Sequence, residues 1–88
     1  MKIKNHRRFE KEVKTLLKGQ KISFIERVNL FIVNPFDPLL NYHHLRGRFE
    51  GFQSIDITGD IRLILRYAPG EDTVLFYRIG THSYLYKK

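Results

Sequence analysis
The chain has no cysteine, no tryptophan and only one methionine among its 88 residues. Without cysteine there is no disulfide scaffold, no thiolate zinc site and no cysteine nucleophile. No apolar run approaches the ~18 residues that a membrane-spanning helix requires. The opening Met1-Lys2-Ile3-Lys4-Asn5-His6-Arg7-Arg8 is basic, but a charged amphipathic stretch follows it, not the apolar core of a signal peptide. A cytoplasmic protein without a membrane partner is expected. Low-complexity stretches and internal repeats are also missing. What is present is an ordinary globular composition, with seven Phe and five Tyr to supply large apolar surfaces. A chain this short makes one domain, residues 1–88, with a single core.

Acidic residues are the other shortage, nine against sixteen Lys and Arg, for a net charge of +7. Residues 1–48 hold eleven of the basic and four of the acidic side chains, so they carry the whole excess. Such a field concentrates polyanions. Nucleic acid, an acidic protein and an anionic lipid surface all fit that field, as does a basic protein with no such partner. Their arrangement must choose among them.

Residues 2–4 are compatible with a short edge strand. Phe9, Val13, Leu16 and Leu17 then fall on one helical face, with Asn5 placed to cap its start and Gly19 to end it. A second helix is predicted from about Ser23 to Val33. Phe24, Val28 and Ile32 repeat every four residues, Ser23 and Glu26 match a capping box, and Asn34-Pro35 stops the run. The stretch from Pro35 to Gly47 lacks periodicity and reads as a linker. Gly51–Ile57, Ile61–Tyr67 and Thr73–Ile79 then alternate with period two, separated by turn sequences. The expected fold class is α+β: two N-terminal helices on one face of a curved antiparallel sheet, made of a short edge strand and a three-strand meander.

Alternation also assigns faces. Phe49, Ile55, Ile57, Ile61, Leu63, Leu65, Tyr67, Leu75, Tyr77 and Ile79 form the odd set expected under the helices. The even set would face outward with Asp56, Arg62, Arg66 and Arg78, and with Phe76 among them. Ile64 and Val74 fall on that outer side as well, and a β-bulge would invert part of the pattern. Guanidinium forks match phosphate oxygens, and an aromatic ring can stack an unpaired base. Four such Arg on a single strand would give a salt slope of about −3. A solvated outer face is the competing reading.

Four histidines, His6, His43, His44 and His82, add chemistry. An imidazole both takes and gives protons near neutral pH. RNA cleavage needs one group to deprotonate a ribose 2′-hydroxyl and another to protonate the leaving 5′-oxygen, with a cation on the phosphorus oxygens. His, Asp and Arg supply those parts without requiring a metal. His82 near a strand end also reads as a surface residue, and Asp60 in Thr58-Gly59-Asp60 as an ordinary turn residue. His43-His44 as metal ligands is disfavoured, because adjacent side chains point apart.

The strings His43-His44-Leu45-Arg46-Gly47, Gly51-Phe52, Gly59-Asp60-Ile61-Arg62-Leu63-Ile64 and Ile79-Gly80-Thr81-His82-Ser83-Tyr84-Leu85-Tyr86 together resemble the RelE/ParE toxin superfamily. The branch they resemble is that of YafQ-type mRNA interferases of bacterial toxin–antitoxin systems, over nearly the whole chain. The resemblance implies a metal-independent endoribonuclease that cuts messenger RNA on the ribosome, needs no cofactor and is restrained by a cognate antitoxin. It implies catalytic roles for His82 as general acid, for His43 or Asp60 as base, and for Arg62 on the scissile phosphate. It makes Tyr86 a residue that stacks on a base; Arg66, Arg78 and Asp56 of the outward face are expected beside the RNA, and Arg46 is expected to join Arg62 in stabilising charge. Asp56 stands where the branch has a second sheet histidine, and Tyr84 where an acidic or small residue is commoner. A ParE-like gyrase inhibitor, or a weakened relative that only binds its antitoxin, is the alternative. The terminal His82 speaks against the first, and Asp56 keeps the second in play.

Overall fold
The alternating C-terminal half does form adjacent strands, and the computed structural model, which describes residues 1–87, shows what packs on either side of them. The chain runs β1 (Lys2–Asn5), α1 (Arg7–Val13), α2 (Lys18–Val33), β2 (His43–His44), β3 (Gln53–Asp56), β4 (Ile61–Ala68), β5 (Thr73–Thr81) and α3 (His82–Leu85). Two 3₁₀ turns, Pro38–Leu40 and Gly47–Phe49, flank β2. The sheet order is β1-β5-β4-β3-β2, with β1 parallel to β5 and every other pair antiparallel. This is the expected α+β class, with five strands where four were expected. The extra strand is β2, where His43 pairs with Ser54 and His44 with Gln53. Two residues are too short to display alternation, so this segment read as linker.

The helix boundaries also shift. Asn5 belongs to β1, opposite Phe76. The cap therefore falls to His6, whose Nδ1 accepts the Arg8 N–H at 3.1 Å. Helix α1 closes at Val13, and the Thr15 hydroxyl donates to the Glu12 carbonyl at 2.7 Å in the turn that follows. Helix α2 starts at Lys18, earlier than predicted, with the Gln20 side chain accepting the Leu17 N–H at 2.8 Å. Gly19 and Ser23 therefore lie inside α2 and not at helix ends. Their weak propensities cost under ~1 kcal/mol each, less than the packing of Phe24, Val28 and Phe31 returns. The stop at Asn34, before Pro35, is as predicted.

The inner face of the sheet carries the main core. Phe9 from α1, Phe31 from α2 and Leu40 meet Ile55, Ile61, Leu63, Leu65, Val74, Phe76 and Ile79. Phe9, Phe24 and Phe76 form an aromatic triangle with centroids 5.5–6.2 Å apart. Phe76 and Val74 are thus inside, not on the outer face, whereas Tyr77 and Phe49, expected under the helices, pack in the outer cluster. The cause is a bulge: Ile64 pairs with Arg78 but Leu65 with Phe76, so Tyr77 is left over and the parity of β5 reverses there.

Below the bulge β1 no longer covers β5. Glu12 of α1 takes over that edge. Its buried carboxylate accepts the Ile79 N–H at 3.2 Å and the Arg78 Nε at 2.9–3.0 Å, and pairs with Arg78 Nη2 at 2.9 Å. The outer face buries a second, smaller cluster of Phe49, Ile64 and Leu85, flanked by Leu45, Phe52, Tyr77 and Tyr86. Three such side chains contribute about 1.5–3 kcal/mol each. That matches the backbone entropy of ordering the four residues of α3, about 1–2 kcal/mol apiece. A helix this short does not form alone; Leu85 docks it over Ile64. Among the described residues no helix is long and apolar enough to cross a membrane.

Candidate active site
Docking α3 on the outer face swings the tail back across the middle strands. Thr81 caps the helix, its hydroxyl accepting the Tyr84 N–H at 3.1 Å, and His82 becomes the first helical residue. The His82 ring stacks on Tyr86, centroids 4.5 Å apart and planes 28° from parallel. Tyr86 meets Phe49 edge-on at 5.2 Å. In this conformation one face of Tyr86, the residue expected to stack on an RNA base, lies against the His82 ring.

Arg62 lies beside this pair on β4. Its Nη1 donates to the carbonyls of Thr58 and Gly59, at 3.2 and 2.9 Å. Its Nε lies 3.1 Å from Asp56 Oδ1, across the β3–β4 pair. That oxygen is buried and makes no aligned hydrogen bond, so the contact is a charge pair and not a directed bond. Asn41 Nδ2 approaches the other carboxylate oxygen at 3.4 Å. Three anchors therefore fix the guanidinium, and among the described residues nothing bonds Nη2.

His43 is held from the other side. Its Nδ1 lies 2.7 Å from the Asn41 carbonyl oxygen. A carbonyl only accepts, so Nδ1 carries a proton, which leaves Nε2 as the ring atom able to take another. Asn41 reaches this position through a left-handed backbone, φ 49°. Asp60 is exposed in the β3–β4 turn, its N–H 3.2 Å from the Thr58 hydroxyl.

Two shallow cavities meet at Arg62 and His82. One, of about 110 Å³, also includes His43, Ser54 and Tyr86 in its lining. The other, of about 320 Å³, adds Asp60, Thr81 and Ser83. The structure thus brings His82, Arg62, His43, Asp60 and Tyr86 to one surface, with Asp56 against Arg62. Among the described residues no three His, Asp or Glu side chains cluster as metal ligands would. Beside the site, burial, with Tyr67 adding to it, raises the Tyr42 phenol above the ordinary value of 10.0.

The remaining Arg divide. Arg46 and Arg66 are exposed, and Arg66 lies over the Phe52 ring at 4.4 Å. Arg78 does not join them as an open phosphate contact, because it is buried and paired with Glu12. Parity puts Arg78 on the outer face and the register keeps it there, opposite Ile64, but the Glu12 carboxylate and the Tyr84 ring cover it. Sequence reasoning also missed Glu12, although a carboxylate between Phe9 and Val13 on the apolar stripe of α1 was a visible signal of a buried ion pair. It missed the fit of Tyr84 over Gly80 too, where a Cβ would come within 2.6 Å of the ring.

Comparison with known proteins places this geometry. The family model described as the bacterial toxin of type II toxin–antitoxin systems, YafQ, matches residues 1–87. No curated protein sequence matches the chain. Among solved structures, YafQ from E. coli strain BL21(DE3) superposes with a TM-score of 0.81 at 24% identity, over 96% of each chain. The toxin of the E. coli DinJ–YafQ toxin–antitoxin complex gives 0.73 at 22%, over 96% of this chain and 94% of that one. A metal-bound toxin from Helicobacter pylori gives 0.75 at 27%, over 98% and 99%.

Proposed function
This chain belongs to the YafQ family of bacterial toxins of type II toxin–antitoxin systems, and on that premise we propose that it is a metal-independent endoribonuclease that cleaves ribosome-bound messenger RNA in the cytoplasm. A cognate antitoxin would hold it inactive. His43 Nε2 takes the proton of a ribose 2′-hydroxyl, and the oxygen attacks the adjacent phosphorus. Arg62, through its unengaged Nη2, neutralises the phosphoryl oxygens as charge builds on them. His82 donates its proton to the departing 5′-oxygen. The products are a 2′,3′-cyclic phosphate and a 5′-hydroxyl.

The observation that carries this reading is that His82 and Arg62 line two cavities in common, one of which also contains His43. The fixed Nδ1 proton of His43 supports its role as base. The Tyr86 ring supports His82 as acid, because stacking on it holds the imidazole at the cavity that Arg62 lines. Asp60 is the second candidate for the base, since it shares the larger cavity with both Arg62 and His82. Each general acid or base is worth ~10²–10⁴-fold in rate. The test is single-turnover cleavage of ribosome-bound message by wild type, His82→Ala, His43→Gln and Asp60→Asn, with end-group analysis of the products. His82→Ala cutting at the wild-type rate would sink the assignment. A loss with Asp60→Asn but not with His43→Gln would move the base to Asp60.

One observation favours a reading without cleavage: Asp56 offsets part of the charge on Arg62. Normal growth of cells expressing the toxin without any antitoxin would favour that reading, a relative retaining only its antitoxin contact. Inhibition of gyrase supercoiling would point to a ParE-like target.

A further inference from the structure
The far side of α3 carries a second polar cavity, of about 380 Å³, lined by Arg8, Arg48, Arg78, Tyr84, Leu85 and Lys87. These residues come from α1, the Gly47–Phe49 turn, β5 and the tail, so only the tertiary fold assembles them. Arg78 forms the buried wall, and Glu12 spends its charge on it. Among the described residues no carboxylate lies within ion-pair distance of Arg8, Arg48 or Lys87. Three uncompensated cations around one concavity repel each other and attract an anion. Arg48 is aimed by its Nη1 bond to the Lys87 carbonyl, at 2.8 Å.

Tyr84 supplies the other half of the site. It is 45% exposed, although it packs on Gly80 and has the Arg78 guanidinium 5.6 Å from its ring centre. An aromatic platform beside unpaired Arg and Lys is the combination that binds single-stranded nucleic acid, the cations holding phosphates and the ring stacking a base. Leu85 borders both this cavity and the smaller His82 cavity, so one four-residue helix separates the two.

We propose that this cavity is a second nucleotide site for single-stranded RNA, holding a nucleotide that flanks the one cleaved. Arg8, Arg48 and Lys87 bind its phosphate and Tyr84 stacks its base. The site rests on the ribonuclease reading for its ligand, but not on His82, Arg62 or His43 for its contacts. It makes α3 a divider that RNA crosses, with chemistry on one side and grip on the other.

The test is fluorescence anisotropy with a labelled single-stranded RNA, titrated against salt, in a His82→Ala background so that no cleavage intervenes. Arg8→Gln is the leading variant, since among the described residues its side chain makes no hydrogen bond or ion pair; Tyr84→Leu is the second. Arg8→Gln should reduce the magnitude of the salt slope by about 0.7, the value for one lost phosphate contact on a single strand. Tyr84→Leu should weaken binding about fivefold or more and leave the slope unchanged. Far-ultraviolet circular dichroism and thermal melting of both variants confirm that the fold is kept. Wild-type affinity and slope in both folded variants would overturn the site and leave the ribonuclease reading intact. Failure of wild type to cleave any message would overturn that reading alone, and the binding data would still decide the cavity.

Discussion
Twelve buried side chains from α1, α2, the three central strands and the segments that join them fill the inner face of the sheet, whereas the outer face buries only Phe49, Ile64 and Leu85. The inner cluster is apolar throughout, and the charge pair of Glu12 and Arg78 at its margin is sealed. The outer cluster is ringed by His43, Arg62 and His82, which line open cavities. The contrast separates two tasks. One face supplies the stability of the fold. The other supplies only enough burial to dock one short helix, leaving its polar groups wet enough to meet a substrate. Changes on the inner face should therefore lower stability and activity together. Changes on the outer face should remove activity beyond what the loss of folded protein explains.

The largest effect should come from Phe31→Ala, which empties the centre of the inner core. A loss of about 3–5 kcal/mol is expected in denaturant unfolding. Cleavage per folded molecule should stay near wild type. A folded Phe31→Ala protein with no activity would break the division between faces.

Leu85→Ala tests the outer face directly. It should cost about 2–3 kcal/mol, at the low end for a buried leucine, because α3 can lift away without exposing the main core. Cleavage should fall at least tenfold further than the folded fraction does, since His82 leaves with the helix. Near-ultraviolet circular dichroism of the Tyr86–Phe49 contact would report the undocking.

Gly80→Ala sharpens the same point with one methyl group. Its Cβ would meet the Tyr84 ring at 2.6 Å, so α3 must shift. Overpacking of this kind costs about 1–3 kcal/mol. Paired with Tyr84→Leu, which relieves the clash, the variant should regain stability, and a double-mutant cycle would measure the coupling.

The smallest effect should belong to Asp56→Asn. Both partners of its ion pair are 28% exposed at the side chain, so stability should move by under ~1 kcal/mol. Arg62 keeps its two carbonyl anchors. Losing the neutralising carboxylate should steepen the salt dependence of RNA binding by up to ~0.7 in slope. An unchanged slope would mean that Arg62 does not reach the phosphate.

The expected α+β class, the cap-and-stop logic around Asn34-Pro35 and the inward odd set of β3 and β4 were legible in residue periodicity, because buried faces impose periodicity on sequence. The outer face was legible only in part. Arg62 and Asp56 fell on it as expected. Phe76 did not stay in solvent there, because a bulge changes parity without any residue type that announces it, and Arg78 stayed on that face but was sealed by Glu12 from a distant helix. Strand β2 escaped notice because two residues form no pattern. The second cluster was foreshadowed by Ile64, an apolar residue on the wrong parity, which makes sense once Leu85 lies over it.

By itself the sequence determined the two long helical stretches and the three meander strands, though not β2 or α3, and it determined where the positive charge would concentrate and which side chains could do acid–base chemistry. Those properties are local, written in periodicity and in the nature of each residue. Only the tertiary structure decided that His82, thirty-nine positions from His43, would share a cavity with it and Arg62. That meeting depends on Leu85 docking over Ile64, on the left-handed turn at Asn41 and on the Arg62–Asp56 pair. Each is a contact between distant segments, settled by packing after the strands have found their register.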